Sequence, residues 1–245
     1  MPSPAALRSP RSRPGSPLPL PLDWPRRWGV TYTRTQATVS WTHTPVGTPT
    51  TASVAIAVRD DVASVVDVTY GGTLMTFVRA DVVALTMRQE VFLLNNPASG
   101  AQLVVGSLSA TSEGTGIAIT VTGSATSGQP ANHAGATGDS TAPSVTVTSA
   151  VDRLVIGFVD SDRNNTDAQI APGAGQTQRT SVSGPTTDRP REEATDEAGA
   201  ASVVTNWTLT NATGWVAQGI DLSAAAAVVI ALPQSFHVTQ GRRPR

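Results

Sequence analysis

From residue 30 to residue 232 the chain is written in short segments in which Val, Ile, Ala or Leu alternates with Thr or Ser, each closed by Gly, Pro or Asn. Successive side chains on a strand point to opposite sheet faces, so such a segment can bury one face and wet the other. Val30 and Tyr32 stand against Thr31 and Thr33, and Ala37, Val39 and Trp41 against Thr38 and Ser40. The pattern continues at 53–59, 64–70, 74–79, 84–95, 102–109, 116–122, 144–148, 154–159, 176–183, 202–210 and 215–222. The separators are turn material, among them Gly71-Gly72, Asn95-Asn96-Pro97, Glu113-Gly114 and Gly173-Ala174-Gly175. Only 194–201 and 224–232 approach a helical pattern; the first is short, and the second is apolar all round with β-branched residues at 228–230 that favour a buried strand. The chain is therefore expected to be all-β, an antiparallel β-sandwich of jelly-roll-like form.

One core is the default for 245 residues with 39% apolar content. The β domain is placed at 30–232, between a Pro/Arg-rich arm at 1–29 and a basic tail at 233–245. Eight Pro between positions 2 and 25 exclude both helix and ladder from the arm and favour extended chain. Charge is partitioned too. Arg8, Arg11, Arg13, Arg26, Arg27 and Arg34 face one acid, Asp23, while Arg242, Arg243 and Arg245 close a tail with none. Eight Arg against seventeen acids remain between 35 and 222, a body of −9 with basic ends. Such ends suit acidic neighbours, because guanidinium forks match carboxylates and phosphates. Nucleic acid beyond the basic arms is not expected. Arg8, Arg11, Arg13, Arg26, Arg27, Arg242, Arg243 and Arg245, with Trp24 and Trp28 as anchors, form the expected assembly arm.

Several classes find no support. Without Cys there is neither disulfide nor thiolate site. Pro17, Pro19 and Pro21 interrupt the only apolar stretch that follows early basic residues, so no export signal is expected. The longest apolar run, 224–232, is about half of a ~20-residue span. No Gly-rich phosphate loop opens a helix, and no Gly-x-Ser-x-Gly elbow surrounds a Ser. His43, His133 and His237 sit in turn-like, loop-like and terminal contexts, so no Ser/His pairing is evident. Arg to the exclusion of Lys, with abundant Ala, is the composition of a GC-rich or heat-adapted, thermostable protein.

The candidate sites are few. Asp160, Asp162, Asn164 and Asp167 follow the 154–159 strand and could turn oxygen ligands toward Ca²⁺, although the loop lacks the Gly and terminal Glu of an EF-hand. The alternative is a polar interstrand loop, and no other cofactor is expected. Asp67, Asp81 and Glu90 are the acids that could pair across a groove for sugar hydrolysis. Trp207 alternates in phase with Leu209 and is assigned with Trp215 to the core, where the other possibility is a sugar platform. Two polar stretches, 124–142 and 183–199, read as long loops, so His133, Asp139, Asp188, Arg191, Glu192 and Glu193 are the expected ligand contacts.

Four segments carry a resemblance: Val68-Thr69-Tyr70-Gly71-Gly72 with Leu74-Met75-Thr76; 173–179; 199–209; and Trp215 through Ile220-Asp221-Leu222. Over residues 52–223 the chain resembles jelly-roll-like β-sandwich modules of phage virion proteins, such as tail fibres and capsid decorations, and of bacterial surface proteins. The resemblance implies no catalytic residues. With the missing export signal and basic ends, it leads to the expectation of a non-enzymatic virion structural protein assembled in host cytoplasm, partnered by its own copies or other virion proteins. The alternative is a carbohydrate-binding or adhesive module at the cell surface or outside the cell, partnered by a surface glycan.

Overall fold

The computed structural model describes residues 28–59, 63–161, 169–183 and 191–225. Among them every regular element is a strand and every strand pairing is antiparallel. No described helix is long and apolar enough to cross a membrane.

The first sheet takes the first seven strands: β1 (Trp28–His43), β2 (Thr51–Arg59), β3 (Val65–Tyr70), β4 (Thr73–Leu74), β5 (Thr76–Val83), β6 (Met87–Asn95) and β7 (Gln102–Val121). Their order is β4-β3-β7-β2-β6-β5, with β1 also on β7. The 20-residue β7 organises the sheet. One of its edges carries β1 from Trp28 opposite Ile119 to His43 opposite Gln102. Its other edge is divided, β3 taking Val104–Leu108 and β2 taking Gly114–Val121. The sheet therefore curls over itself and nearly closes, aided by irregularities in β1 between Thr33 and Thr38. Glu113-Gly114, which reads as a turn, runs straight through β7 because strands flank it on both edges. Val39, Trp41, Val54, Ile56, Val68, Tyr70, Phe92 and Val104 fill the fold. Glycine gives room at two β7 positions: a Cβ at Gly106 would force the end of the Ile56 side chain to shift, and one at Gly116 would stand 2.6 Å from the Trp41 ring.

The second sheet, in the order β12-β13-β10-β15-β8, contains β8 (Asn132–Ser140), β10 (Leu154–Ser161), β12 (Thr177–Ser183), β13 (Arg191–Ala198) and β15 (Thr213–Leu222). The third, β11-β14-β9, contains β9 (Ser144–Thr148), β11 (Ile170–Pro172) and β14 (Ser202–Leu209). Strand β10 is buried at every position, as its unbroken apolar run demands. Leu154, Ile156 and Phe158 meet Leu93, Ile117 and Ile119 of the first sheet, while Val159 on the opposite face meets Trp207 and Leu209 of the third. The apolar cores are thus stacked: one inside the curled sheet, one between the two large sheets, and one under the third.

Two expectations are corrected. Much of 124–142 and of 183–199 is strand, β8 and β13 respectively. Their composition conceals this: Gly, Ala and Thr fill β8, and β13 reads Arg-Glu-Glu-Ala-Thr-Asp-Glu-Ala. The fully buried β10 needs ladder partners on both edges, and that tertiary demand overrides local propensity. Trp28 and Gly29, assigned to the arm, are the first residues of β1. The rest of the arm, the 228–232 strand and the basic tail lie outside the described residues.

The β5–β6 turn contains Leu85 at φ 62°, 84% exposed. A branched side chain in the left-handed region costs about 1 kcal/mol, and here no burial offsets it. Leu85→Gly is expected to raise stability by about 0.5–1 kcal/mol, read as an upward shift of the urea midpoint with unchanged slope.

Candidate functional site

The residues singled out in the sequence are not gathered in one place. Asp67 sits beside an irregularity in the β3–β7 pairing, and Asp81 and Glu90 lie on β5 and β6. Arg79 Nε and Nη2 donate to Asp81 at 2.6 and 2.8 Å, and Arg88 Nε donates to Glu90 at 2.6 Å. Both pairs are two residues apart on one strand and therefore share a face. Asp81 also accepts from Gln218 Nε2 of β15 at 2.7 Å, while Arg79 Nη1 lies 3.2 Å from His133 Nδ1 of β8. The Arg79–Asp81 clamp thus joins the β5 edge of the first sheet to the second, holding the Asp81 carboxyl below its ordinary range despite desolvation. Asp139 is on β8, opposite Gly214. Asp188, Asp162, Asn164 and Asp167 lie outside the described residues, as do Trp24 and the arginines of both termini.

The largest departure from expectation concerns Arg191, Glu192 and Glu193. They were expected to project from a loop; instead they open β13 and are buried. Asp160, the first residue of the expected Ca²⁺ loop, is the penultimate residue of β10 and lies inside the protein, directly opposite Glu192. Among the described residues no three acidic or His side chains are arranged to hold a metal ion.

Together these residues form a polar pole at one end of the core between the two large sheets. Even-numbered positions of β10 and β13 face the first sheet, so Asp160 and Glu192 continue the face occupied by Phe158 and Ala194. From the first sheet Gln89 Nε2 donates to Glu192 Oε1 at 3.0 Å, and Gln218 Nε2 donates to the Gln89 carbonyl at 3.1 Å. Burial, then repulsion from Asp160, pushes the Glu192 carboxyl well above its usual range; Gln89 and Thr115 oppose the shift. Glu193 points the other way, toward the third sheet, accepting from Gln178 Nε2 at 2.7 Å. Desolvation raises it to about 7 against the pull of Arg191, Gln178 and Trp207.

A second polar centre is fully satisfied. Asp221 of β15 is wholly buried and accepts from Ser149 Oγ at 2.6 Å, Arg153 Nη1 at 2.6 Å and Asn132 Nδ2 at 3.2 Å. It ties β8 and the β9–β10 turn to β15. Toward the surface, a groove of about 370 Å³ lies over the end of the paired strands β9 and β14, lined by Pro143, Ser144, Asn206, Trp207 and Thr208. Trp207 is buried beneath it and Trp215 is also in the core. Sequence alternation finds both tryptophans; the groove leaves no signal in the sequence because its walls come from a paired strand and the segment before it.

The buried groups set opposing pH dependences. His43 is buried against Tyr70, its Nε2 3.2 Å from Thr120 Oγ1, and desolvation lowers its pKa to about 4. The unfolded chain then binds a proton between about pH 6.5 and 4 that the folded state refuses, so stability falls as pH drops through that window. Glu193 is the reverse: the folded state keeps a proton between about pH 4.5 and 7, so its contribution falls as pH rises. The slopes oppose each other near pH 4.5–6.5. Relative to the unsubstituted chain, His43→Gln should shift the pH dependence toward stability that falls with rising pH, and Glu193→Gln toward stability that falls with acid, each by about 1–3 kcal/mol across its window. Urea midpoints measured from pH 4 to 8 check both.

No family model, curated protein or solved structure matches the chain.

Proposed function

We propose that the protein is a non-enzymatic structural component of a virion of the phage type, a capsid decoration or tail element with a jelly-roll-like β-sandwich body, acting by assembly with its own copies or with other virion proteins. The observation that carries this reading is the use made of the charged side chains. Arg79–Asp81, Arg88–Glu90, Arg153–Asp221 and Arg179–Asp196 are internal staples with 2.6–2.8 Å contacts. The outward faces of β1 and β9 instead carry ladders of short neutral side chains, Thr38, Ser40 and Thr42 on β1 and Ser144, Thr146 and Thr148 on β9. Such faces suit close packing against a neighbour, and the Arg-rich termini supply charge for attachment to the acidic body of the next copy.

Immunogold labelling of particles purified from the source culture tests the reading. Regular labelling of particles is expected; label confined to the cell envelope overturns it. One observation favours a second reading, an adhesive module that binds carbohydrate: the β9–β14 groove offers Ser144, Asn206 and Thr208 beside a buried indole. Saturable binding on a glycan array, lost in Asn206→Ala, would establish that reading instead.

A further inference from the structure

One end of each sheet lies on the same side of the molecule: β5 of the first, β8 of the second and β9 of the third. Gly135 of β8 stands over the Arg79–Asp81 pair of β5, and Ala134 packs against the cluster that contains Val147 of β9. A long end strand leaves a row of N–H and C=O groups open to another chain, and proteins blunt such edges with bulges, prolines or charges. β1, β5 and β12 each carry an irregularity in their pairing, between Thr33 and Thr38, Phe77 and Arg79, and Gln178 and Thr180 respectively. β8 carries none. Its residues Asn132–Ser140 pair with β15 in unbroken register, and among the described residues β15 is its only ladder partner. The strand contains no Pro, Lys or Arg, and its one acid is Asp139.

β8 is also complementary to itself. When a second β8 lies antiparallel to the first about a two-fold axis through Ala136, Asn132 meets Ser140, Ala134 meets Gly138, and His133 meets Asp139, each pairing occurring twice. His133 and Asp139 are both exposed. His133 Nδ1 lies 3.2 Å from Arg79 Nη1 and accepts from it, which leaves Nε2–H to donate to a carboxylate. On the other face of the strand Ala134, Ala136 and Gly138 keep the axis free of bulk.

We propose that β8 is a self-association edge: two copies of the chain pair antiparallel through β8 and join their five-stranded sheets into one continuous sheet, with Ala136 at the axis and His133 of each copy against the partner's Asp139. The inference rests on the reading that the protein assembles with its own copies, and it names the surface used. Main-chain hydrogen bonds hold the two strands together. The His133–Asp139 pairs set the register, because a two-residue slip places Asp139 opposite Gly135.

The test uses the full chain, which has no Cys of its own. Ala136→Cys puts the two thiol-bearing Cα atoms of a paired dimer ~4.5–5.5 Å apart, within disulfide reach, whereas Ala134→Cys puts them roughly 14 Å apart along the strands. Mild oxidation should link the first variant into dimers and leave the second unlinked. Sedimentation equilibrium of the unsubstituted chain should give a dimer. His133→Asp sets like charges in opposition twice and should weaken that dimer about tenfold, and adding Asp139→His should restore it. A chain that stays monomeric up to its solubility limit overturns the proposal, as does equal linking of the two cysteine variants. Association that is indifferent to His133→Asp also overturns it, yet leaves assembly of copies through another surface intact; particle labelling tests that wider reading independently. Should His133→Asp fail to fold, the cysteine pair decides alone.

Discussion

Arg153→Ala is expected to destabilise the protein by about 3–5 kcal/mol, a large effect for an arginine whose side chain is 30% exposed. The reason lies with its partner. Asp221 is wholly buried between the second and third sheets, and its carboxylate is held by one guanidinium, one hydroxyl and one amide. Removing Arg153 leaves that charge without its cation in a place that water cannot readily reach, whereas removing the charge itself does less harm. Asp221→Asn alone should therefore cost less than Arg153→Ala, and adding Asp221→Asn to Arg153→Ala should recover part of the loss. Urea midpoints of the two single variants and the double variant give the coupling. An Arg153→Ala cost below about 1 kcal/mol would assign the contact to the class of surface ion pairs.

The second large effect is expected at Phe158. It is fully buried on β10 in the core between the two large sheets, with Leu93, Ile117 and Ile220 in the same cluster. Phe158→Ala should cost about 3–5 kcal/mol, because stacked sheets held by ladders on both sides of β10 cannot collapse into the void. At about 2–4 °C per kcal/mol for a chain of this size, the melting temperature should fall by roughly 6–20 °C. Val147→Ala, under the smaller third sheet, removes less volume beside a thinner layer and should cost about 1–2 kcal/mol. Equal costs at the two positions would mean that the central core does not dominate stability.

What could be read in advance follows the physics of alternation. β14 at Ser202–Leu209 and β15 at Thr213–Leu222 match the readings at 202–210 and 215–222, because one face of each strand is apolar and in phase. β8 and β13 escaped because their buried faces are not apolar in the ordinary sense. Ala134, Ala136 and Gly138 contribute almost no side chain, and Glu192 and Asp196 are buried through hydrogen bonds and ion pairing. A period of two survives in β13, with Glu192, Ala194 and Asp196 on one face and Arg191, Glu193 and Thr195 on the other. Acids on both faces read as solvated, so the pattern carries no hydrophobic signal. Asp160 was legible as a residue of interest but was assigned to a loop, since only its pairing with Glu192 turns it inward. The polar pole combines β6, β10 and β13, whose meeting depends on the stacking of sheets, and no local window contains it.

The shared strand β7 also constrains the order in which the protein can be made. Among the described residues strand β1 has no ladder partner except β7, which begins 59 positions after β1 ends, at Gln102. A nascent chain that has emerged only to Asn95 can close the β2–β6–β5 meander and the β3–β4 hairpin, yet β1 must wait. During synthesis, then, the sixteen residues of β1, Val39 and Trp41 among them, remain unclaimed until β7 begins to clear the ribosome, and those near Trp28 wait for its end. Chaperone binding to this protein should accordingly concentrate on its amino-terminal strand and end when β7 arrives.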